Sequence, residues 1–160
     1  VVAAQLKGGV NMAEFTNVGV QTVAPGETVI FTESPVKSRN IIVYHMDGTG
    51  NFVLIPNGNT CCRRQTTNFL ASFGANIAIP TGGTVGEISL AFALDGATLP
   101  ATTMTVTPTA VESFFNVARV SNVPVFSGCC QTLTVRNTST QAILVSAANI
   151  VLERPVRAWR

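Results

Sequence analysis

The clearest pattern along the chain lies between Gly86 and Asp95, where Ile88, Leu90, Phe92 and Leu94 alternate with Ser89, Ala91 and Ala93. Side chains on a strand point to opposite faces with a period of two, so this alternation predicts a strand with one bulky face and one small face. The bulky face calls for a second sheet. The small face carries no charge and calls for something in close approach, which makes Ser89, Ala91 and Ala93 candidate contacts of a self-association axis.

Similar short runs fill the rest of the sequence. Phe15 to Val23 and Glu27 to Glu33 are rich in Val, Phe and Thr, and Ala24-Pro25-Gly26 between them predicts a turn joining neighbouring strands. Asn40 to His45 and Asn51 to Ile55 flank Asp47-Gly48-Thr49-Gly50, and Pro56-Asn57-Gly58-Asn59 follows. Asp-Gly and Asn-Gly tolerate positive φ and mark tight turns. Thr66 to Pro80 predicts one or two strands closed by Thr81-Gly82-Gly83, and Asp95-Gly96 turns the chain again. Thr103 to Thr107, Phe114 to Val120, Gln131 to Asn137 and Ile143 to Glu153 supply the remaining strands. Within Gln131 to Arg136, Leu133 and Val135 face inward if Thr132, Thr134 and Arg136 face water. Thr109 stands at capping-box distance from Glu112, which is compatible with a single helical turn as well as with a strand. Ten or so short strands without a long helix predict an all-β antiparallel sandwich, most simply a jelly roll.

The chain has 160 residues, enough for one domain. Charged residues make up 11% and hydrophobic residues 46%, a composition that excludes disorder. Ten Lys and Arg against eight Asp and Glu leave +2, too balanced for a broad phosphate-neutralising surface, so no nucleic-acid partner is expected. Ile143 to Leu152, the longest apolar stretch, is interrupted by Ser146 and Asn149 and falls short of a membrane span, so no membrane partner is expected. Lys7-Gly8-Gly9-Val10-Asn11 before Met12 back-translates to a purine-rich ribosome-binding sequence ahead of a start codon. Residues 1-11 are therefore either a leader foreign to the native protein or a flexible arm; residues 12-154 form the domain, and 155-160 a basic tail. No secretory signal pattern is visible, so assembly in a cytoplasm with later exposure is expected.

Four segments carry a resemblance. Thr81 to Gly86, Ile88 to Gly96, Thr132 to Val135 and Ser146-Ala147-Ala148-Asn149-Ile150-Val151-Leu152-Glu153-Arg154 resemble the C-terminal globular domain of BclA-type exosporium glycoproteins, itself C1q/TNF-like. That domain has a Gly-rich turn, a Leu/Ile strand ending in a small turn, a Thr/Val strand and a closing Ser-Ala-(small)-Ile-Ile-(apolar)-Glu-Lys strand. The chain also looks like small proteins of gut Clostridia that share its Ala-Glu-Phe opening and Gly-Cys-Cys motif. Two features depart from the family: there is no collagen-like stalk, and paired cysteines are not part of the C1q/TNF pattern. The resemblance implies a jelly roll that forms a homotrimer on a spore surface.

Groups capable of chemistry are few. His45 is the only histidine and is expected at a surface or loop edge; Asp47 and Asp95 precede glycines, where an Asp caps its own turn. Cys61-Cys62 and Cys129-Cys130 are the only cysteines. Adjacent cysteines point in different directions, which favours crosslinks between elements or chains over a bond within a pair. Zinc ligation and four reduced thiols remain open. Arg63-Arg64 and Arg154, Arg157 and Arg160 make two basic patches without interleaved aromatics, and Trp159 is a candidate anchor against a neighbouring subunit. The combined reading is a non-enzymatic structural or display module without cofactor or metal, forming a homotrimer on a spore surface. Two alternatives are a capsid-decoration or fibre-tip protein of a phage virion, and a glycan- or receptor-binding module. In the first two settings, other spore-surface or virion proteins are the expected partners.

Overall fold

The computed structural model describes residues 11–38, 40–56, 66–126 and 130–155. Alternating bulky and small positions produce strands β1 (Asn11–Asn17), β2 (Gln21–Val23), β3 (Glu33–Val36), β4 (Val43–His45), β5 (Phe52–Leu54) and β6 (Thr66–Ala78). They continue as β7 (Ile88–Leu94), β8 (Ala97–Thr98), β9 (Met104–Val106), β10 (Phe115–Phe126), β11 (Gln131–Asn137) and β12 (Ile143–Arg154). One 3-10 turn, Pro100–Thr102, is the helical element among the described residues. Two antiparallel sheets result. The first runs β10-β6-β12-β1-β3 with β2 on β12; the second runs β4-β5-β11-β7-β8 with β9 on β7. Consecutive strands repeatedly switch sheets, as in a jelly roll.

The bulky faces meet between the sheets. Phe69, Phe92, Ile88, Leu90, Leu133 and Val135 have no exposed surface. Phe73 of the first sheet meets Phe92 of the second edge to face, ring centres 6.4 Å apart, and Phe31 meets Phe52 at 5.1 Å. Such pairs contribute about 0.5–1.5 kcal/mol each beyond the area they bury. At Asp95-Gly96 both φ angles are positive, 50° and 82°, the mirror-image turn that suits the twist of a two-residue hairpin.

Four boundaries differ from the sequence expectation. The run from Phe15 to Val23 is divided by Val18-Gly19-Val20. Of Glu27 to Glu33 only Glu33 enters a strand, at the start of β3; the rest holds isolated bridges, Thr28 to Arg136 and Phe31 to Thr49. Its main-chain bonds are divided among several partners, Val29 N–H to the Val135 carbonyl at 2.8 Å, Phe31 N–H to Thr49 at 3.0 Å and Thr32 N–H to Thr16 at 3.0 Å, and at Ile30 side chains take over: Gln21 Oε1 accepts the N–H at 2.8 Å, and Asn17 Nδ2 and Gln21 Nε2 donate to the carbonyl. Gly50 makes this crossing possible, because a Cβ on it would overlap the Thr28 side chain and the Val29 carbonyl oxygen. β10 continues past Val120 through Pro124, which an edge strand tolerates because one side of its backbone is unpaired. No helical turn forms at 109–116. Instead Glu112 takes φ 57°, its N–H bonds the Ile79 carbonyl at 2.7 Å, and its carboxylate accepts the Thr81 hydroxyl.

Candidate functional site

Residues directly opposite in an antiparallel ladder share a face, so the register defines what the first sheet presents to solvent. Asn116 of β10 lies opposite Asn76 of β6, which lies opposite Ser146 of β12; the next rows are Ala118, Gly74, Asn149 and Val120, Ser72, Val151. None of these residues is charged. Along β10, β6 and β12 a charge first enters one row further on, at Glu153, and on the next strand Glu14 of β1 stands opposite Val151. Asn116 Nδ2 donates to Asn76 Oδ1 at 3.1 Å, and Asn149 Nδ2 donates to the Glu14 carboxylate, so part of the polar capacity is used within the face.

β10 is also the edge of this sheet. Its twelve residues all pair with β6, which leaves the other side of its backbone without a strand among the described residues. On its outer face Val120 and Phe126 are 61% and 57% exposed. Arg119 projects to the opposite side of the sheet, where its guanidinium donates to the Ala101 carbonyl. A long, neutral, apolar edge beside a neutral face is the kind of surface that pairs with another protein unless covered.

The sequence pointed to β7 for this role, and the structure corrects that expectation for Ala91 and Ala93. Neither has any exposed surface within the single chain, so neither has area left to bury against a second copy. Arg136 stands directly opposite Ala91 on β11 and reaches along the same face to donate to the Gly96 carbonyl at 3.0 Å. Thr134, expected to face water, is opposite Ala93 and only 6% exposed, with no partner for its hydroxyl among the described residues. Ser89 is half-buried and shares a hydrogen bond with the Thr138 hydroxyl at 2.6 Å. Trp159, the remaining candidate of that set, lies outside the described residues.

His45 is the second correction. Its side chain is 1% exposed rather than at the surface. The ring stacks on Phe52 at 4.6 Å and tilts against Phe15 at 4.8 Å, while Nδ1 faces the Asn51 carbonyl at 3.0 Å and Nε2 the Phe31 carbonyl at 3.3 Å. Both nitrogens lie against main-chain carbonyls, only one of which a neutral ring can serve as donor, and the ring packs between the Phe31 segment and β5. Asp47 accepts the Ser34 hydroxyl at 2.9 Å. Asp95 reaches across to β11 and not to its own turn: Oδ1 accepts the Thr132 N–H at 2.8 Å and Oδ2 the Gln131 amide at 3.1 Å. Those two bonds hold its carboxyl below the usual carboxylate range, the main-chain bond contributing most.

Cys61, Cys62 and Cys129 lie outside the described residues, as do Arg63, Arg64, Arg157 and Arg160; Cys130 is exposed and free. Arg154 is half-buried and donates to the Ile55 carbonyl at 2.9 Å, and burial lowers its pKa. It therefore belongs to the sandwich and not to a solvated tail. Among the described residues no group of three or more His, Cys, Asp or Glu side chains is placed to hold a metal ion. No described helix is long and apolar enough to cross a membrane.

No protein-family model and no curated protein sequence matches the chain. Solved structures do. The Eiger TNF of S. frugiperda superposes with a TM-score of 0.65 at 14% identity, over 94% of this chain and 96% of that one. Murine APRIL gives 0.63 at 10% identity, over 91% and 98%, and the globular domain of zebrafish complement 1qA gives 0.56 at 8%, over 94% and 99%. At these identities the likeness is one of fold, and the fold of this chain is a C1q/TNF-like jelly roll.

Proposed function

We propose that the chain is a non-enzymatic structural or display module that works as a homotrimer, with the uncharged outer face of β10, β6 and β12 and the free β10 edge as its self-association surface. The observation that carries this reading is the three uncharged rows from Asn116 to Val151 beside exposed Val120 and Phe126. A closed ring needs two different patches on each copy, and an edge and an adjoining sheet face supply them. The TNF and complement 1qA neighbours support a fold suited to such a module.

Placement on a spore surface rests on the resemblance of residues 81–96, 132–135 and 146–154 to exosporium glycoprotein domains. Sedimentation at micromolar concentration tests the assembly: a trimer is expected, and a clean monomer would sink it. Val120→Glu should then yield folded monomer, because each of the three neutral interfaces of the ring would bury an unpaired carboxylate. Immunogold labelling of native spores and of purified phage particles tests the setting, and label confined to virions would replace the spore reading with the phage one.

A further inference from the structure

The charges on the outer face of the first sheet are all of one sign among the described residues, and all stand away from β10. Glu153 of β12 is opposite Met12, Glu14 of β1 is opposite Val151, and Glu33 of β3 is opposite Thr16. Glu14 and Glu153 are half-buried and Glu33 is exposed. No described Lys or Arg forms an ion pair with any of the three. Covering the neutral rows beside Glu14 would strip water from a half-buried carboxylate, a cost that a cation carried by the covering partner offsets.

The β10 edge carries such a cation. Arg119 is exposed and has no acidic partner among the described residues, and its bond to the Ala101 carbonyl holds the guanidinium beside the edge. The other described bases are placed elsewhere: Lys37 lines a crevice beyond β3, while Arg136 and Arg154 bond the Gly96 and Ile55 carbonyls. Edge and face are therefore complementary in charge, one basic and one acidic, which suits a second copy of this chain meeting the first edge to face.

Symmetry selects among the acids. Rotation leaves height along its axis unchanged, and a ring in which sheet edges meet sheet faces turns about an axis running along the strands. Arg119 stands between Ala118 and Val120. The row of Ala118 continues through Gly74, Asn149 and Thr16 to Glu33, and the row of Val120 through Ser72 and Val151 to Glu14. Glu153 is one row further along. Of the two acids at the height of Arg119, Glu14 is one strand nearer to the neutral rows. We propose that Arg119 of each copy pairs with Glu14 of the next copy around the ring. The pairing rests on the self-association proposed above and fixes the register in which edge meets face.

Sedimentation of the whole chain over a concentration series, with charges exchanged, tests it. Arg119→Glu and Glu14→Arg should each raise the concentration at which the trimer half-dissociates by about tenfold or more, and the double variant should recover most of that loss. Glu14→Gln, which keeps a side-chain oxygen for Asn149, should weaken the trimer severalfold, with circular dichroism melts showing a folded chain. Rising salt should weaken the wild type more than Glu14→Gln. A trimer equally strong in wild type and Arg119→Glu would overturn the pairing and leave the self-association standing. So would rescue of Arg119→Glu by Glu33→Arg and not by Glu14→Arg, or a double variant no stronger than the weaker single one. A monomeric wild type would overturn the self-association and the pairing together.

Discussion

The outer face of β7 and the outer face of β10, β6 and β12 have nearly the same composition, small and uncharged, yet opposite fates. On β7 the chain covers its own small residues: Arg136 reaches from the neighbouring strand over Ala91 toward Gly96, and Ala91 and Ala93 keep no exposed surface. On the other sheet Glu14 reaches only as far as Asn149 on β12, no described long side chain crosses to β10, and Ala118 and Val120 remain exposed. Small, neutral positions therefore mark a close approach. Whether the approach comes from the same chain or another is decided by what stands directly opposite on the neighbouring strand.

The largest effect should come from putting one charge on each face. Ala93→Glu places a carboxylate where no surface is exposed, beside Thr134 and Thr98, and should cost roughly 4 kcal/mol or more, enough to unfold a marginally stable domain. Val120→Glu should alter assembly and leave the melting temperature of the monomer nearly unchanged. Circular dichroism melts beside sedimentation read both. If Ala93→Glu instead stayed folded and merely lost its trimer, the two faces would have been assigned the wrong way round.

Next in size is the contrast between Phe92 on the inner face of β7 and Phe126 on the outer face of β10. Phe92 has no exposed surface and packs on Phe73, so Phe92→Ala should lose about 3 to 5 kcal/mol in denaturant unfolding. Phe126, 57% exposed at the end of β10, should lose less than about 1 kcal/mol as a monomer on truncation to Ala. Similar losses would mean that Phe126 is packed within its own chain, which would remove it from the self-association surface.

What the sequence revealed follows the same division. The alternation in β7, β11 and β12 was legible because each strand is central in its sheet and local period equals burial. The extent of β10 was not, because Pro124 argues against a strand unless the strand is known to be an edge. Glu27 to Glu33 has strand composition, but its main-chain bonds are split among Val135, Thr49 and Thr16 while Gln21 and Asn17 take those of Ile30, and no local pattern encodes partners that scattered. The self-association surface was sought on β7 because the identity of the opposite residue, Arg136, depends on strand pairing. The buried position of His45 likewise follows from its stack on Phe52 and Phe15, which the topology brings together.

Arg136 is the direct test of self-covering. Arg136→Ala removes the alkyl stem lying beside Ala91 and the bond to the Gly96 carbonyl, and should cost about 1–2 kcal/mol through lost packing and a lost charge-assisted bond. Newly bared alanines should also raise self-association at high concentration, measurable by sedimentation. A variant with unchanged stability and unchanged sedimentation would show that Arg136 covers nothing that matters.

The smallest effect is expected at Asp95, which closes the covered face at its far end by holding the Thr132 N–H and the Gln131 amide. The folded pKa lies below the reference value of 3.8, so the unfolded state binds the proton more readily. The stability this carboxylate contributes is therefore fully present above the unfolded pKa and is lost as pH falls through the lower, folded one. Asp95→Asn keeps the side-chain shape, and Asn tolerates the positive φ of 50°. Melting temperatures of wild type and variant should thus differ modestly at neutral pH, with wild type higher, and converge as the pH drops below the ordinary carboxylate range. A difference that stays constant down through that range would mean that the Asp95 charge contributes nothing, and that the hydrogen-bond geometry alone closes the β7 face.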